Sequence, residues 1–152
     1  MVTNRIAKKS RPRRTAHVQQ KRPAQTQQHI VLVVDDDESA LSAIARLIRA
    51  AGFTVQTFGE PRAILTARLP IRDACLVSDI YLPEMNGIEL CQALAATGHA
   101  LPTILITARR DEMTNRLVKD FDAIAVLFKP IDESLLFDAI ARCFTMSPGS
   151  LA

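Results

Sequence analysis

The chain has 152 residues, 48% of them apolar, 5% aromatic and none of them Trp, which suits one ordinary domain with an aliphatic core plus a tail. Its formal charge of +3 joins two unlike parts: residues 1–28 carry eight bases and no acid, while the rest sets 11 bases against 16 acids. No apolar run approaches the ~20 residues of a membrane span, and none follows the basic start, so the sequence reads neither as a membrane protein nor as one with a secretory leader.

Residues 1–28 (Arg5, Lys8, Lys9, Arg11, Arg13, Arg14, Lys21 and Arg22 among Gln, Thr and Pro) hold little apolar surface beyond Ile6 and Val18. Such a segment cannot offset its ordering entropy and is expected to be a disordered basic tail. Nucleic-acid binding is the weaker expectation for it, because no aromatic residue is interleaved for base stacking. A solvated extension, or a start assigned too far upstream, is the plainer one.

From His29 the pattern changes. Ile30–Val34 is a continuous apolar run ending in three aspartates, as in a strand buried on both faces. Leu41, Ile44, Ala45, Ile48 and Ala51 follow at helical spacing, with Asp36, Asp37 and Glu38 at the helix start and Gly52 just past its end. Phe53–Phe58 reads as a strand, and Pro61 opens a helix carrying Ala63, Ile64, Ala67 and Leu69. Ala74–Ser78 is a strand; Asn86-Gly87 caps a helix over Ile88–Ala96, closed by Gly98. Thr103–Ile106 is a strand, followed by a helix over Glu112–Phe121 with Met113, Leu117 and Val118 on one face. Ala123–Phe128 is the last strand. The last helix, Glu133–Phe144, is expected to turn Leu135, Leu136, Ala139, Ile140 and Cys143 inward. Residues 145–152 read as a flexible C-terminus with no further domain after it. Five strictly alternating β-α units predict an α/β fold over 29–144: a doubly wound, five-stranded parallel sheet with helices on both faces. Cys75, Cys91 and Cys143 share no metal or redox spacing and are expected to be reduced, mostly buried thiols of a cytoplasmic protein.

Ligands of open parallel sheets bind beyond the carboxyl ends of the strands. This sequence places Asp35 and Asp36 there after the first strand, Asp79 after the third, Thr107 after the fourth and Lys129-Pro130 after the fifth. Close carboxylates repel one another and call for a cation, and a few oxygen ligands suit Mg²⁺. With Lys129 as a point charge and Thr107 as a donor, the set suits phosphoryl transfer, in which a carboxylate can be the nucleophile. Singly, each residue has a bland reading as helix cap, turn residue, strand-end hydroxyl or solvated lysine. Five of them in order at strand ends do not.

The segments Val33-Val34-Asp35-Asp36-Asp37, Ser78-Asp79-Ile80-Tyr81-Leu82-Pro83 with Met85-Asn86-Gly87, Ile106-Thr107-Ala108 and Lys129-Pro130 resemble the response-regulator receiver family of bacterial two-component systems. The resemblance covers roughly residues 29–144. It implies that Asp79 is the phosphoacceptor and a histidine kinase or phosphotransfer protein the donor. It further implies that Asp36, Asp79 and the Tyr81 backbone carbonyl bind Mg²⁺ with help from Asp35, and that Thr107 and Lys129 hold the phosphoryl oxygens. Pro83, Gly87 and Pro130 would be structural, with a cis Lys129-Pro130 bond. The implied protein is a stand-alone signalling switch rather than an enzyme, monomeric or dimeric on phosphorylation, with an unassigned downstream partner.

Two departures matter. Many receivers carry an aromatic residue three positions before the lysine, where this chain has Val126, with Phe128 two residues on and on the same strand face. The positions two beyond Asp79 and Thr107 are Tyr81 and Arg109; they flank the family's path of attacking water, and the Tyr81 ring is expected to slow loss of the phosphoryl group. Two alternatives compete with the receiver reading. Asp35-Asp36-Asp37-Glu38-Ser39 superficially fits a haloacid-dehalogenase-type phosphohydrolase with Asp35 as nucleophile, although a later acidic pair is missing. The other is a pseudo-receiver acting without phosphorylation, against which the complete acidic set with Thr107 and Lys129 argues.

Overall fold

The computed structural model describes residues 29–70 and 72–145; the expected tails over 1–28 and 146–152 lie outside them. The strands β1 (Ile30–Val34), β2 (Thr54–Phe58), β3 (Ala74–Asp79), β4 (Thr103–Thr107) and β5 (Ala125–Phe128) alternate with the helices α1 (Glu38–Ala50), α2 (Pro61–Thr66), α3 (Gly87–Ala96), α4 (Glu112–Lys119) and α5 (Glu133–Thr145). All strand pairs are parallel, in the order β2-β1-β3-β4-β5. The expected doubly wound α/β sheet is the fold observed.

Strand alternation divides the core. Val31 and Val33 join Val77, Ile106 and the inward residues of α1 and α5 on one face. Leu32, Val34 and Leu76 meet Ile64 of α2 and Leu90 and Leu94 of α3 on the other. A third cluster, Ile80, Ile88 and Leu105, extends that second face towards Leu117 and Val118 of α4. Burying apolar surface at about 25 cal/mol per Å² on both faces makes β3 and β4 the most enclosed strands: every residue of either is buried.

The helix ends follow local chemistry. Asp37 caps α1, accepting from the Ser39 and Ala40 amides. Asn86 and Glu89 form a reciprocal capping box at α3, as expected of Asn86-Gly87. Gly52 and Gly98 take φ of +96° and +91° just past α1 and α3, the left-handed stop that favours glycine.

Several boundaries and faces differ from expectation. The α2 helix ends at Thr66, so Ala67 and Leu69 lie outside it; Ala67 is extended and Leu69 buries itself from the following loop. Strands β3 and β4 run one residue further, taking in Asp79 and Thr107. Strand β2 starts at Thr54 rather than Phe53, and β5 starts at Ala125 rather than Ala123, after a turn in which the Ala123 amide donates to the Phe121 carbonyl. The α4 helix stops at Lys119, and α5 includes Thr145. Met113 and Leu135 are 61% and 55% exposed: α4 turns Thr114 inward instead of Met113, and the α5 stripe centres on Leu136, Ala139, Ile140 and Cys143. Cys75 and Cys143 are buried and Cys91 half-buried, all three as free thiols.

Candidate functional site

The register aligns the strand ends. Val34 of β1 pairs with Ser78 of β3, so Asp35 and Asp79 come one step later on neighbouring central strands. Asp79 pairs with Ile106 of β4, and Thr107 with Phe128 of β5, immediately before Lys129. The connections from β1 and from β3 leave in opposite directions across the sheet, and the crevice at such a switch point is where doubly wound folds bind ligands.

Lys129 carries the geometry. Its Nζ donates to Asp35 Oδ2 and Asp79 Oδ2, each at 2.8 Å. The remaining oxygens face main-chain donors: Asp35 Oδ1 accepts the Asp37 N–H at 2.9 Å and Asp79 Oδ1 the Tyr81 N–H at 3.0 Å. Asp35 is 1% and Asp79 8% exposed. Asp36 is exposed, and one carboxylate oxygen from each of Asp35, Asp36 and Asp79 lies within 4.8 Å of the others. The Lys129-Pro130 peptide is cis.

The titration behaviour of Asp79 and Lys129 points two ways. Burial pushes the Asp79 carboxyl up, and the Lys129 and Tyr81 hydrogen bonds only partly offset this. Burial pulls Lys129 down, yet the hydrogen bonds and charges of Asp35 and Asp79 outweigh it, so its pKa is raised. Three carboxylates gather here around the single ammonium of Lys129, which donates to two of them. The pocket's donor set is oxygen-only, with Asp36 open to solvent, so the residues fit a hard divalent ion that keeps part of its water.

Thr107 is fully buried, and its Oγ1 accepts the Arg109 N–H at 3.0 Å. That leaves the hydroxyl proton for a donor role. Gly87 is needed on steric grounds: a Cβ there would lie 2.5 Å from the Asp79 carbonyl oxygen. Pro83 lies in the exposed turn between β3 and α3, its carbonyl accepting the Met85 N–H at 2.8 Å, and Glu84 beside it has φ of +71°. Tyr81 and Val126 pack against the same apolar cluster.

Sequence reasoning placed Tyr81 and Arg109 beside the site but missed what holds them. The Arg109 guanidinium lies 4.4 Å from the Tyr81 ring centre, and Tyr81 Oη is 2.6 Å from Thr114 Oγ1 on α4. Arg110 stacks likewise on Phe128 at 4.0 Å. The Tyr81–Thr114 contact joins two hydroxyls 33 residues apart and leaves no periodic trace in the chain.

Residues 31–141 match the family model of the response regulator receiver domain. The chain is 32% identical over 123 residues to the response regulator protein TmoT of Ectopseudomonas mendocina, covering 80% of this chain and 56% of TmoT. It is 37% identical over 112 residues to nodulation protein W of Bradyrhizobium diazoefficiens, covering 73% and 49%. Among solved structures, the response regulator StyR aligns with a TM-score of 0.68 at 41% identity, over 77% of this chain and 59% of that one. The structure named FixJ-N aligns with a TM-score of 0.70 at 27% identity, over 78% and 94%. The chain belongs to the response-regulator receiver family, a signalling domain of two-component systems. It spans about half the length of the curated relatives it matches. Among the described residues, no helix is long and apolar enough to cross a membrane.

Proposed function

We infer that this receiver accepts a phosphoryl group on Asp79 from a phosphohistidine of a histidine kinase or phosphotransfer protein, and serves as a phosphorylation-controlled interaction switch in the cytoplasm. The observation that carries the reading is Lys129 bridging two buried carboxylates at 2.8 Å each, with a third carboxylate within reach. One carboxylate oxygen of Asp79 forms the new bond to phosphorus while the phosphorus–nitrogen bond breaks, its electron pair returning to the imidazole. Lys129 is placed to follow a phosphoryl oxygen, and the Thr107 hydroxyl to donate to another. Asp36, Asp79 and the Tyr81 carbonyl, with Asp35 directly or through water, would hold Mg²⁺, which when bound neutralises the crowded oxygens.

Intact mass after treatment with acetyl phosphate and Mg²⁺ tests this. Wild type gains one phosphoryl group; Asp79→Asn gains none. A phosphohydrolase using Asp35 would instead turn over the donor, lose that activity in Asp35→Asn and keep it in Asp79→Asn. A pseudo-receiver would gain no mass.

A further inference from the structure

Thr114 belongs to no set named above, yet its side chain is 1% exposed on a helix that otherwise buries little. Its hydroxyl donates to Asp111 Oδ1 at 2.7 Å. A hydroxyl has one proton to give, so in the 2.6 Å contact with Tyr81 Oη the phenol must be the donor and Thr114 the acceptor. Tyr81 is therefore pinned at both ends, by its backbone N–H on Asp79 Oδ1 at 3.0 Å and by its hydroxyl on α4. Asp111 also faces Arg109, with Oδ2 3.9 Å from Nε. Arg109 lies across the Tyr81 ring at 4.4 Å and gives its backbone N–H to Thr107 at 3.0 Å. These contacts close a ring of Tyr81, Thr114, Asp111 and Arg109, tied to Asp79 through the Tyr81 N–H and to Thr107 through the Arg109 N–H.

We propose that Thr114 is a positioning residue for the phosphorylated state: by fixing the Tyr81 ring and, through Asp111, the Arg109 guanidinium, it keeps a wall beside Asp79 that restricts attacking water. This rests on phosphorylation of Asp79. Hydrolysis forms a bond from water oxygen to phosphorus as the bond from phosphorus to the Asp79 oxygen breaks. The electron pair returns to the carboxylate, and the water protons leave with inorganic phosphate and to solvent. Attack in line with the leaving oxygen needs a clear approach. A Tyr81 released from Thr114 loses its fixed rotamer, and Arg109 loses its platform.

The test is the lifetime of the phosphorylated protein. Wild type, Thr114→Val, Thr114→Ser, Tyr81→Phe and the Thr114→Val/Tyr81→Phe double variant are phosphorylated with acetyl phosphate and Mg²⁺, freed of donor and followed by intact mass. Tyr81→Phe loses phosphate about five-fold faster, the rate equivalent of one neutral hydrogen bond, and Thr114→Val, which also loses the bond to Asp111, at least as fast. The double variant decays no faster than Thr114→Val alone, because Thr114→Val already cuts the link that Tyr81→Phe removes, and Thr114→Ser keeps the wild-type lifetime. A wild-type lifetime in Thr114→Val or in Tyr81→Phe overturns the proposal, as does a Thr114→Ser as short-lived as Thr114→Val. Tyr81→Phe leaves α4 and its cap intact, so poor folding of the Thr114 variants does not shelter the idea. Should wild type take up no phosphoryl group, the reading of Asp79 fails first and this proposal falls with it.

Discussion

The Cα of Gly87 faces the main-chain carbonyl of Asp79 so closely that a methyl group on it would sit 2.5 Å from that oxygen and 3.1 Å from Ser78 Oγ. The same approach lets the Gly87 N–H donate to the Ile80 carbonyl at 2.7 Å. The first residue of α3 is thereby clamped onto the end of β3.

Gly87→Ala consequently fails to collect the advantage of about 1 kcal/mol that alanine has in helices. Forcing backbone apart costs about 2 kcal/mol, and the displaced atoms belong to Asp79 itself. Urea denaturation should show this loss, and intact mass after acetyl phosphate treatment should show slower phosphorylation of the folded fraction.

Lys129→Met removes the ammonium that Asp35 and Asp79 share. Leaving buried carboxylates unpaired is costly, and since the Lys129 side chain keeps 23% exposure the loss should be about 2–3 kcal/mol, below that of a wholly buried pair. Adding Asp79→Asn to Lys129→Met should recover part of it, because one of the stranded charges goes too. In chemical denaturation, a recovery no larger than the gain Asp79→Asn gives when Lys129 is present would contradict the shared-cation picture.

Asp79 is held above its ordinary range by burial, which fixes the sign of its pH effect. The folded state keeps the Asp79 proton to higher pH than the unfolded chain. The stability tied to the neutral form is complete below the unfolded value of about 3.9 and is lost as pH rises through the folded value. Asn does not titrate. The melting temperature of Asp79→Asn in chelator should therefore exceed that of wild type by a margin that opens between acid and neutral pH, and Mg²⁺ should narrow it by supplying the missing charge to wild type. A margin independent of pH would show that Asp79 pays no burial penalty.

Two helix caps carry the opposite sign. The Thr114 amide and hydroxyl hold Asp111 below the usual carboxylate range, and the Ser134 hydroxyl and Leu135 amide do the same for Asp132. Their contribution is present above the unfolded pKa and disappears as pH falls through the lowered folded values. Amide exchange in the first turns of α4 and α5 should rise in that acid window, and Asp111→Asn should remove the pH dependence from α4 alone.

Much of this was legible in the chain. Apolar runs such as Ile30–Val34 separated by amphipathic stretches specify a parallel sheet, and once the strands are placed, Asp35, Asp79, Thr107 and Lys129 fall together because a parallel sheet has one carboxyl edge. Local chemistry was readable too: Asn86, Gly52 and Gly98 cap and close helices where their types predict. What escaped was set by partners distant in sequence. Thr114 displaces Met113 from the inner side of α4 because its hydroxyl finds both Asp111 and Tyr81 there, and hydropathy assigns that place to methionine. Leu135 follows the apolar count of α5 but lies off the stripe that Leu136, Ala139, Ile140 and Cys143 bury.

Asp35 and Asp79 extend from the ends of β1 and β3, two of the three strands flanked on both sides by others, whereas Tyr81 and Arg109 ride on the connections that follow β3 and β4. Stiffness is thus unevenly shared: the two carboxylates inherit the rigidity of the middle of the sheet, and Tyr81 and Arg109 the compliance of the loops. Changes in those loops can retune how long a signal persists while the chemistry that starts it stays as it was.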